Sequence, residues 1–294
     1  MNFLIVGHEG YLGSGLFKYF EKSHKVYGWG RKQDISKLSI SDLKSLGIDV
    51  IVNCAVVCDR VSMSYQLNST SHQVNVEGVC NILKQIQGSE IKFIQISTKD
   101  VFGIVYTETD VQELDTRYAL HFFVDDEFPY KPQTIYAKSK MISEVISESY
   151  PNSIIIRLSA CYTDSYHPKG NWVVRIIKSI LTEEPVIVTN KGKQVRDLLH
   201  VEDLGRLIEM LVLSEHRGIK INAGGGVKNC FSVLELINMI SPQAKIKNEA
   251  GDDYGFIYNN RLATDLIKWH PVILFKDRLP NIINSVKKHL MIAR

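Results

Sequence analysis

The sequence lacks long apolar runs, a strong net charge and paired cysteines. No stretch approaches the roughly 18 apolar residues of a transmembrane helix, and the N-terminus has neither the basic segment nor the long apolar core of a signal peptide. A net charge of +3 is too small to indicate nucleic acid or an anionic membrane as a partner. The five cysteines include no C-x-x-C pair, so buried thiols in a reducing compartment account for them best. We therefore expect a cytoplasmic protein that binds neither nucleic acid nor membrane, and we assign no metal site.

What the sequence does contain is a regular alternation of short buried strands and helical patterns. Of its 294 residues 45% are hydrophobic and 23% charged, as in ordinary globular proteins. Strands are predicted at residues 3–6, 25–29, 50–55, 91–97 and 154–158, and helical patterns between them include residues 39–46 and 72–87. This alternation implies an α/β protein built on a doubly wound parallel sheet, a Rossmann fold with helices on both faces.

The same pattern predicts two lobes. Residues 1–160, joined by about 185–225, should form the Rossmann domain that contains the doubly wound sheet. Residues 161–184 and 226–294 should form a smaller C-terminal lobe over the carboxyl ends of the strands, where ligands of such sheets bind. Residues 103–135 are less periodic and are predicted to form a long loop, which in a compact domain tends to be functional.

A glycine-rich turn follows the first predicted strand directly. The run Gly7-His8-Glu9-Gly10-Tyr11-Leu12-Gly13 leads from that strand into a helical pattern. Gly7 permits a tight turn, Gly10 lets the backbone approach a pyrophosphate, and Gly13 lets the helix pack close to the strand. The unpaired N–H groups and partial positive charge of a helix N-terminus attract phosphate. The stretch predicts a dinucleotide site, with a plain strand–helix corner as the alternative.

The second strand ends without the acidic residue that usually binds the 2′-hydroxyl of the NAD ribose. Residues 28–32, Gly-Trp-Gly-Arg-Lys, occupy that place. Arg31 could stack on adenine and pair with a 2′-phosphate, because guanidinium geometry suits both contacts. The alternative is that Arg31 is a solvated surface arginine. The missing acid favours NADP(H) as the cofactor, and NAD(H) stays possible.

Three residues that are distant in sequence suit proton and hydride transfer. Tyr136 and Lys140 are four positions apart at the start of a predicted helix, so they share one helical face. A Lys ammonium beside a phenol favours the phenolate, and such a pair can move a proton while a hydride moves to or from a nicotinamide. Thr98 follows a strand, at the edge where ligands bind in parallel sheets. Each feature alone has a plain alternative, a chance surface pair or a helix cap; together with the glycine turn they predict an active site.

With these residues the chain resembles the extended short-chain dehydrogenase/reductase family, whose members include NAD(P)-dependent nucleotide-sugar epimerases, dehydratases and ketoreductases. The resemblance runs almost end to end and comprises the glycine turn, the Tyr-x-x-x-Lys element and further matches in order. These are Asn53-Cys54-Ala55 at the fourth strand, Asn75-Val76-Glu77-Gly78, the segments 97–103 and 194–203, and Asn222 to Gly226 with Trp269-His270-Pro271.

The resemblance implies roles for individual residues. Tyr136 would be the acid/base for a sugar hydroxyl or ketone, Lys140 would bind the nicotinamide ribose and tune Tyr136, and Thr98 would hydrogen-bond the reacting oxygen. Arg196 would meet the diphosphate of a nucleotide-sugar substrate, where Asp100 could serve as a base. The residues implied for the dinucleotide are Gly7, Gly10, Tyr11, Leu12 and Gly13 around the pyrophosphate, Asp34 and Ile35 at the adenine, and Ala55 at the back of the dinucleotide. Asn75, Arg31, Tyr136 and Lys140 complete the predicted cofactor site. The resemblance also implies that residues 1–160 with about 185–225 are the dinucleotide-binding Rossmann domain and that residues 161–184 and 226–294 are the substrate-binding lobe. It further implies a homodimer that pairs two helices from each subunit.

The two residues after Thr98 bear on the reaction. Dehydratases of this family place Asp and then Glu there, whereas this chain has Lys99 and Asp100, which disfavours 4,6-dehydration. The first hypothesis is an NADPH-dependent reductase of a keto-deoxysugar nucleotide. The second is a nucleotide-sugar epimerase with tightly bound NAD, and the third a non-catalytic dinucleotide-binding regulatory subunit. The sequence leaves open the nucleotide, the sugar and the carbon that reacts.

Overall fold

The computed structural model describes residues 1–59, 65–106, 123–251 and 253–292. The strands are β1 (Asn2–Val6), β2 (Lys25–Trp29), β3 (Val50–Asn53), β4 (Lys92–Thr98), β5 (Phe123–Val124), β6 (Ser153–Leu158), β7 (Ala160–Tyr162), β8 (Val186–Thr189), β9 (Val195–His200), β10 (Ile219–Ala223), β11 (Cys230–Ser232), β12 (Ile246–Glu249) and β13 (Ile257–Tyr258). The α-helices are α1 (Tyr11–Phe20), α2 (Ile40–Ser45), α3 (Thr70–His72), α4 (Gly78–Ile86), α5 (Ile135–Glu148), α6 (Trp172–Leu181), α7 (Val201–Leu213), α8 (Val233–Ile240), α9 (Arg261–Ile267) and α10 (Phe275–Ile292).

The centre of the molecule is a six-stranded sheet with the spatial order β10-β6-β4-β3-β1-β2. Every neighbouring pair in it is parallel. The chain adds β2 on one side of β1 and then continues on the other side with β3, so the strand order reverses at β1. Ligands of doubly wound sheets bind at the carboxyl ends of the strands beside such a reversal. The predicted fold class is confirmed.

Alternate residues of the strands fill two apolar layers, because successive side chains point to opposite faces of a sheet. Phe3 and Ile5 of β1 pack into the layer under α1 and α7, which bury Leu16 and Leu204 there. Their neighbours Leu4 and Val6 belong to the layer under α2 and α4. Burial on both faces explains why the strands are short continuous apolar runs.

Two local predictions need correction. The strand at 50–53 is third in chain order, not fourth, because α2 and two 3₁₀ turns fill the chain between β2 and β3. The single helix expected over 72–87 is divided into α3, a π-helical turn at Gln73–Glu77 and α4. Asn75 lies in the π turn, buried, and its side chain accepts the N–H of Val57 and donates to the carbonyl of Val57. The wider turn aims this amide at the loop after β3, and π turns often occur at functional sites.

A second lobe lies beyond the carboxyl edge of the central sheet. It contains the small sheets β11-β9-β7, β12-β8 and β13-β5, and its own apolar cluster includes Ile177, Leu236 and Phe275. β8 pairs within this lobe, whereas α7 and β10 return to the central sheet. The division of the chain into domains at the predicted boundaries stays a prediction. Of the long loop predicted at 103–135, residues 107–122 lie outside the described residues.

Among the described residues, none of the helices combines the length and the apolar character needed to cross a bilayer.

Candidate active site

The glycine turn after β1 brings backbone segments closer together than any side chain would allow. Gly7 has φ +85°, and a Cβ there would lie 2.7 Å from the Ala55 nitrogen. A Cβ at Gly13 would lie 2.2 Å from the Gly7 carbonyl oxygen, and Gly10 donates its N–H to that same oxygen over 2.9 Å. Because Gly10 has no capping side chain, the first N–H groups of α1 stay open to an anion. This backbone cradle fits the pyrophosphate of a dinucleotide.

A cavity of about 1220 Å³ extends from this turn across the carboxyl ends of the strands. It brings together many of the predicted residues, namely Gly10, Tyr11, Leu12, Gly13, Arg31, Thr98, Asp100, Tyr136, Lys140 and Arg196. Gly7, Asp34, Ile35, Ala55 and Asn75 are absent from its wall. Ala55 lies behind Gly7. The cavity is long enough to run from a dinucleotide phosphate site to the second lobe.

The residues predicted for the adenine, Asp34 and Ile35, lie between β2 and α4 and are not part of the cavity wall. A Cβ at Gly78 would lie 2.8 Å from the Ile35 side chain, so the first turn of α4 packs directly on Ile35. The Asn81 amide donates to the Ile35 carbonyl over 2.9 Å. The N–H of Ser36 donates to the Asp34 carboxylate, and this hydrogen bond lowers the pKa of Asp34. The roles of Asp34 and Ile35 toward a cofactor stay predictions.

Thr98, Tyr136 and Lys140 line the middle of the cavity. Thr98 ends β4, and its hydroxyl accepts the N–H of Asp100 over 3.2 Å. Tyr136 lies in the first turn of α5, and its N–H donates to the Asp59 carbonyl over 2.9 Å. Lys140 lies one turn further on and donates from Nζ to the Ile96 carbonyl over 2.7 Å. The structure thus brings the three residues to one surface, from two elements.

Burial lowers the pKa of Lys140 to about 8. Its side chain is 2% exposed, so its ammonium has lost almost all contact with water. A buried cation of this kind strongly favours a neighbouring anion, which suits a lysine that tunes a phenol.

The far end of the cavity carries two ion pairs of opposite charges. Lys99 Nζ lies 3.3 Å from Asp100 Oδ1, and Arg196 Nη2 lies 2.8 Å from Asp253 Oδ2. Burial lowers the pKa of Lys99, and the charge of Arg196 lowers it further. These four side chains come from three distant segments, and all of them line the cavity. The two positive and two negative side chains nearly cancel, so they leave little net charge at this end of the cavity.

A family model described as the NAD dependent epimerase/dehydratase family matches residues 3–224 of this chain. The chain belongs to that family. The resemblance seen in the sequence is confirmed, and the protein is an enzyme of the epimerase/dehydratase type.

Individual relatives of this epimerase/dehydratase are distant but cover nearly its whole length. A putative UDP-glucose 4-epimerase of Methanocaldococcus jannaschii is 25% identical over 97% of this chain and 98% of its own. The dTDP-glucose 4,6-dehydratase of Bacillus anthracis, solved in complex with NAD, has a TM-score of 0.81 at 21% identity and covers 98% of this chain and 97% of that one. The UDP-glucuronic acid 4-epimerase of Bacillus cereus, solved with UDP-glucuronic acid and NAD, has a TM-score of 0.81 at 20% identity over 98% of this chain and 100% of that one. These solved structures share its fold.

Behind α5, the helix that carries Tyr136 and Lys140, lies a buried network that was not predicted from the sequence. Glu144 and Arg157 form an ion pair over 2.9 Å, with side chains 0% and 1% exposed. Ser97, next to Thr98, donates its hydroxyl to Glu144, and Tyr130 donates to the same carboxylate over 2.7 Å. The network joins α5 to the ends of β4 and β6. One signal was available: Glu144 continues the four-residue spacing of Tyr136 and Lys140, and so shares their helical face.

The segment at residues 163–169 was also missed, and it joins the second lobe to the glycine turn. The N–H of Thr163 donates to the Tyr11 hydroxyl over 3.0 Å. His167 Nε2 donates to the carbonyl of Glu9 over 3.0 Å. No spacing in the sequence indicates these contacts, because each joins residues more than a hundred positions apart.

Proposed function

We propose that this enzyme is a nucleotide-sugar epimerase that keeps a nicotinamide dinucleotide bound and both oxidises and re-reduces the same sugar carbon. The observation that carries the proposal is the single cavity whose wall contains the glycine turn, Thr98, Tyr136, Lys140 and Arg196. It has room for a cofactor and a substrate side by side. The relatives named above act on nucleotide sugars by their names, which supports this substrate class.

Two features favour epimerisation over the other reactions of the family. Lys99 stands directly after Thr98 and is paired with Asp100, so the acid expected of a dehydratase is absent there. The 163–169 segment bridges the second lobe to the glycine turn through Thr163 and His167. A dinucleotide beneath such a bridge would leave slowly, as suits a cofactor that is regenerated within each turnover.

The residues of the chain then have distinct tasks. A bound nicotinamide dinucleotide supplies the hydride acceptor and donor. Tyr136, as phenolate, takes the proton of the reacting hydroxyl, and it returns that proton when the carbonyl is reduced from the other face. Lys140 favours the phenolate, and Thr98 holds the reacting oxygen by a hydrogen bond. Arg196 binds the diphosphate and so keeps the nucleotide fixed. The sugar can then rotate between oxidation and reduction and present its other face to the nicotinamide.

A reductase that consumes NADPH is the second candidate. Arg31 lies in the cavity wall close to the glycine turn, where a guanidinium could pair with a 2′-phosphate. A cofactor exchanged at every turnover would have to pass the 163–169 segment. The homodimer that the resemblance implies and the cytoplasmic location expected from the composition stay predictions.

The decisive experiment compares turnover with and without added cofactor. The purified protein is incubated with a panel of UDP-, CDP- and dTDP-hexoses and their 4-keto derivatives, once without dinucleotide and once with added NADPH, and products are separated by chromatography. An epimerase interconverts two sugars without net change in absorbance at the NADH band. Turnover only of 4-keto sugars, with stoichiometric loss of added NADPH, would support the reductase instead.

The variant Tyr136→Phe tests the proton transfer in the same assay. We expect turnover to fall about 10²–10⁴-fold, because the positioned acid/base is lost, while the dissociation constant of the dinucleotide changes less than about threefold. Tyr27→Phe, on β2, is the matched control and should retain full turnover. Unchanged turnover in Tyr136→Phe would refute the assigned acid/base.

A further inference from the structure

We infer that Glu9, on the glycine turn, selects NAD(H) over NADP(H) by taking the place of the acid that is missing from the end of β2. The inference rests on the proposed function only in requiring that a dinucleotide binds along the glycine turn. It reverses the preference that the missing acid suggested in the sequence.

The carboxylate of Glu9 lies against the end of β2. Its Oε2 accepts the N–H of Arg31 over 3.1 Å. A Cβ at Gly30 would lie 2.7 Å from both Cδ and Oε2 of Glu9. Any side chain at Gly30 would therefore displace this carboxylate. The end of β2 beside the glycine turn is where the adenosine ribose binds in Rossmann folds, so an acid is present at the usual place although it comes from a different segment.

The neighbours of Glu9 fix its direction. A Cβ at Gly28 would lie 2.4 Å from the His8 ring, so that ring rests on the glycine of the strand. The same ring packs on Phe17 of α1, with ring centroids 5.8 Å apart. On the other side of the His8-Glu9 arm, His167 Nε2 donates a hydrogen bond to the Glu9 carbonyl over 3.0 Å. The two glycines of β2 thus make room for the His8-Glu9 arm, which carries the carboxylate to Arg31.

The chemistry of the carboxylate distinguishes the two cofactors. An ionised carboxylate accepts about four hydrogen bonds, and the Arg31 N–H uses one. The remaining positions suit the 2′- and 3′-hydroxyls of a ribose, which can donate. A 2′-phosphate cannot donate to them when ionised, and its charge of nearly −2 is repelled by the carboxylate. With Glu9 in this place, the Arg31 guanidinium is left to stack on adenine.

The test measures binding, separately from turnover. Isothermal titration calorimetry gives the dissociation constants of NAD⁺ and NADP⁺ for the purified protein, freed of any copurified dinucleotide by charcoal treatment, and for three variants treated in the same way. Glu9→Gln keeps an oxygen for the Arg31 N–H and removes only the charge. Arg31→Ala removes the guanidinium, and Glu21→Gln, an exposed acid at the end of α1, is the matched control.

We expect the wild-type protein and Glu21→Gln to bind NAD⁺ at least about tenfold more tightly than NADP⁺. The ratio should fall to about one or below in Glu9→Gln, and Arg31→Ala should weaken both dinucleotides alike. Tighter binding of NADP⁺ by the wild type, or an unchanged ratio in Glu9→Gln, would overturn the inference and leave the proposed function intact. Binding of neither dinucleotide would overturn both. An NAD⁺ preference that Glu9→Gln abolishes, in a protein inert toward every nucleotide sugar, would support the inference and refute the proposed function.

Discussion

The end of the cavity proposed for the cofactor is formed mainly by backbone and glycine, whereas the end proposed for the substrate carries charged side chains from distant segments. At the first, the cofactor end, Gly7 and Gly13 bring peptide groups into contact, and the ligand would meet N–H groups that do not titrate. At the second, the substrate end, the wall includes the ion pairs Lys99–Asp100 and Arg196–Asp253. The first end is sensitive to added volume, and the second to charge and pH. Lys140, buried and with its pKa lowered to about 8 by that burial, lies between them.

The largest expected effect is at the cofactor end. In Gly13→Ala the new methyl group would lie 2.2 Å from the Gly7 carbonyl oxygen and 2.9 Å from its carbon, and neither backbone atom can turn away as a side chain could. We expect NAD⁺ to bind more than about a hundredfold more weakly, because relieving such a clash costs about 1–3 kcal/mol or more. Titration calorimetry measures this. Ser23→Ala is the control, because Ser23 is exposed just after α1 and does not line the cavity. A dissociation constant for NAD⁺ in Gly13→Ala within threefold of the wild-type value would show that the glycine turn tolerates a methyl group at this position.

A smaller effect, in stability, is expected beside the substrate end. The Asp197 carboxylate is 2% exposed, accepts the N–H of Tyr258 over 3.2 Å and packs on Gly224. Burial raises the pKa of Asp197 to about 7. Between about pH 4 and pH 7 the folded protein therefore holds a proton that the unfolded chain has released. The free energy of unfolding should fall as pH rises through this window and level off above it.

The variant Asp197→Asn isolates this contribution. Asn cannot ionise. Between pH 5 and pH 8 the free energy of unfolding of the wild type should therefore fall by about 2 kcal/mol relative to that of the variant. Urea unfolding at four pH values measures the difference, and dinucleotide binding over the same range should change little. If the free energies of unfolding of the two proteins change with pH in parallel, the raised pKa of Asp197 is contradicted.

The smallest expected effect concerns the substrate. In Arg196→Gln the KM for the nucleotide sugar should rise about tenfold, which is modest for an arginine at a diphosphate because Asp253 already neutralises part of its charge. The dissociation constant of NAD⁺ should not change. Arg175→Gln is the matched control, since Arg175 is exposed on α6 and also lines the cavity. If KM rises only in Arg175→Gln, the diphosphate lies against α6 instead.

More of the cofactor end than of the substrate end could be predicted from the sequence. The glycine turn, the order of strands and helices and the Tyr-x-x-x-Lys spacing are local patterns, and the structure has the turn, the sheet and the helix where they were expected. The helix over 72–87 was predicted without its π turn. Periodicity indicates which face of a helix is apolar, but it does not indicate the hydrogen bond between the buried Asn75 amide and Val57. The network of Glu144 and Arg157 was missed because its members are polar residues within apolar patterns.

The α/β class, the doubly wound sheet, the cradle after β1 and the family can all be predicted from the sequence alone, since each depends on short-range spacing or on glycines at fixed positions. Three contacts depend instead on how the distant segments fold together: Glu9 beside Arg31, Asp253 paired with Arg196, and the 163–169 segment against the glycine turn. Attraction between charges and hydrogen bonding act over a few ångströms in space, whatever the separation along the chain. Packing of the sheet and the second lobe is what brings those partners within that range.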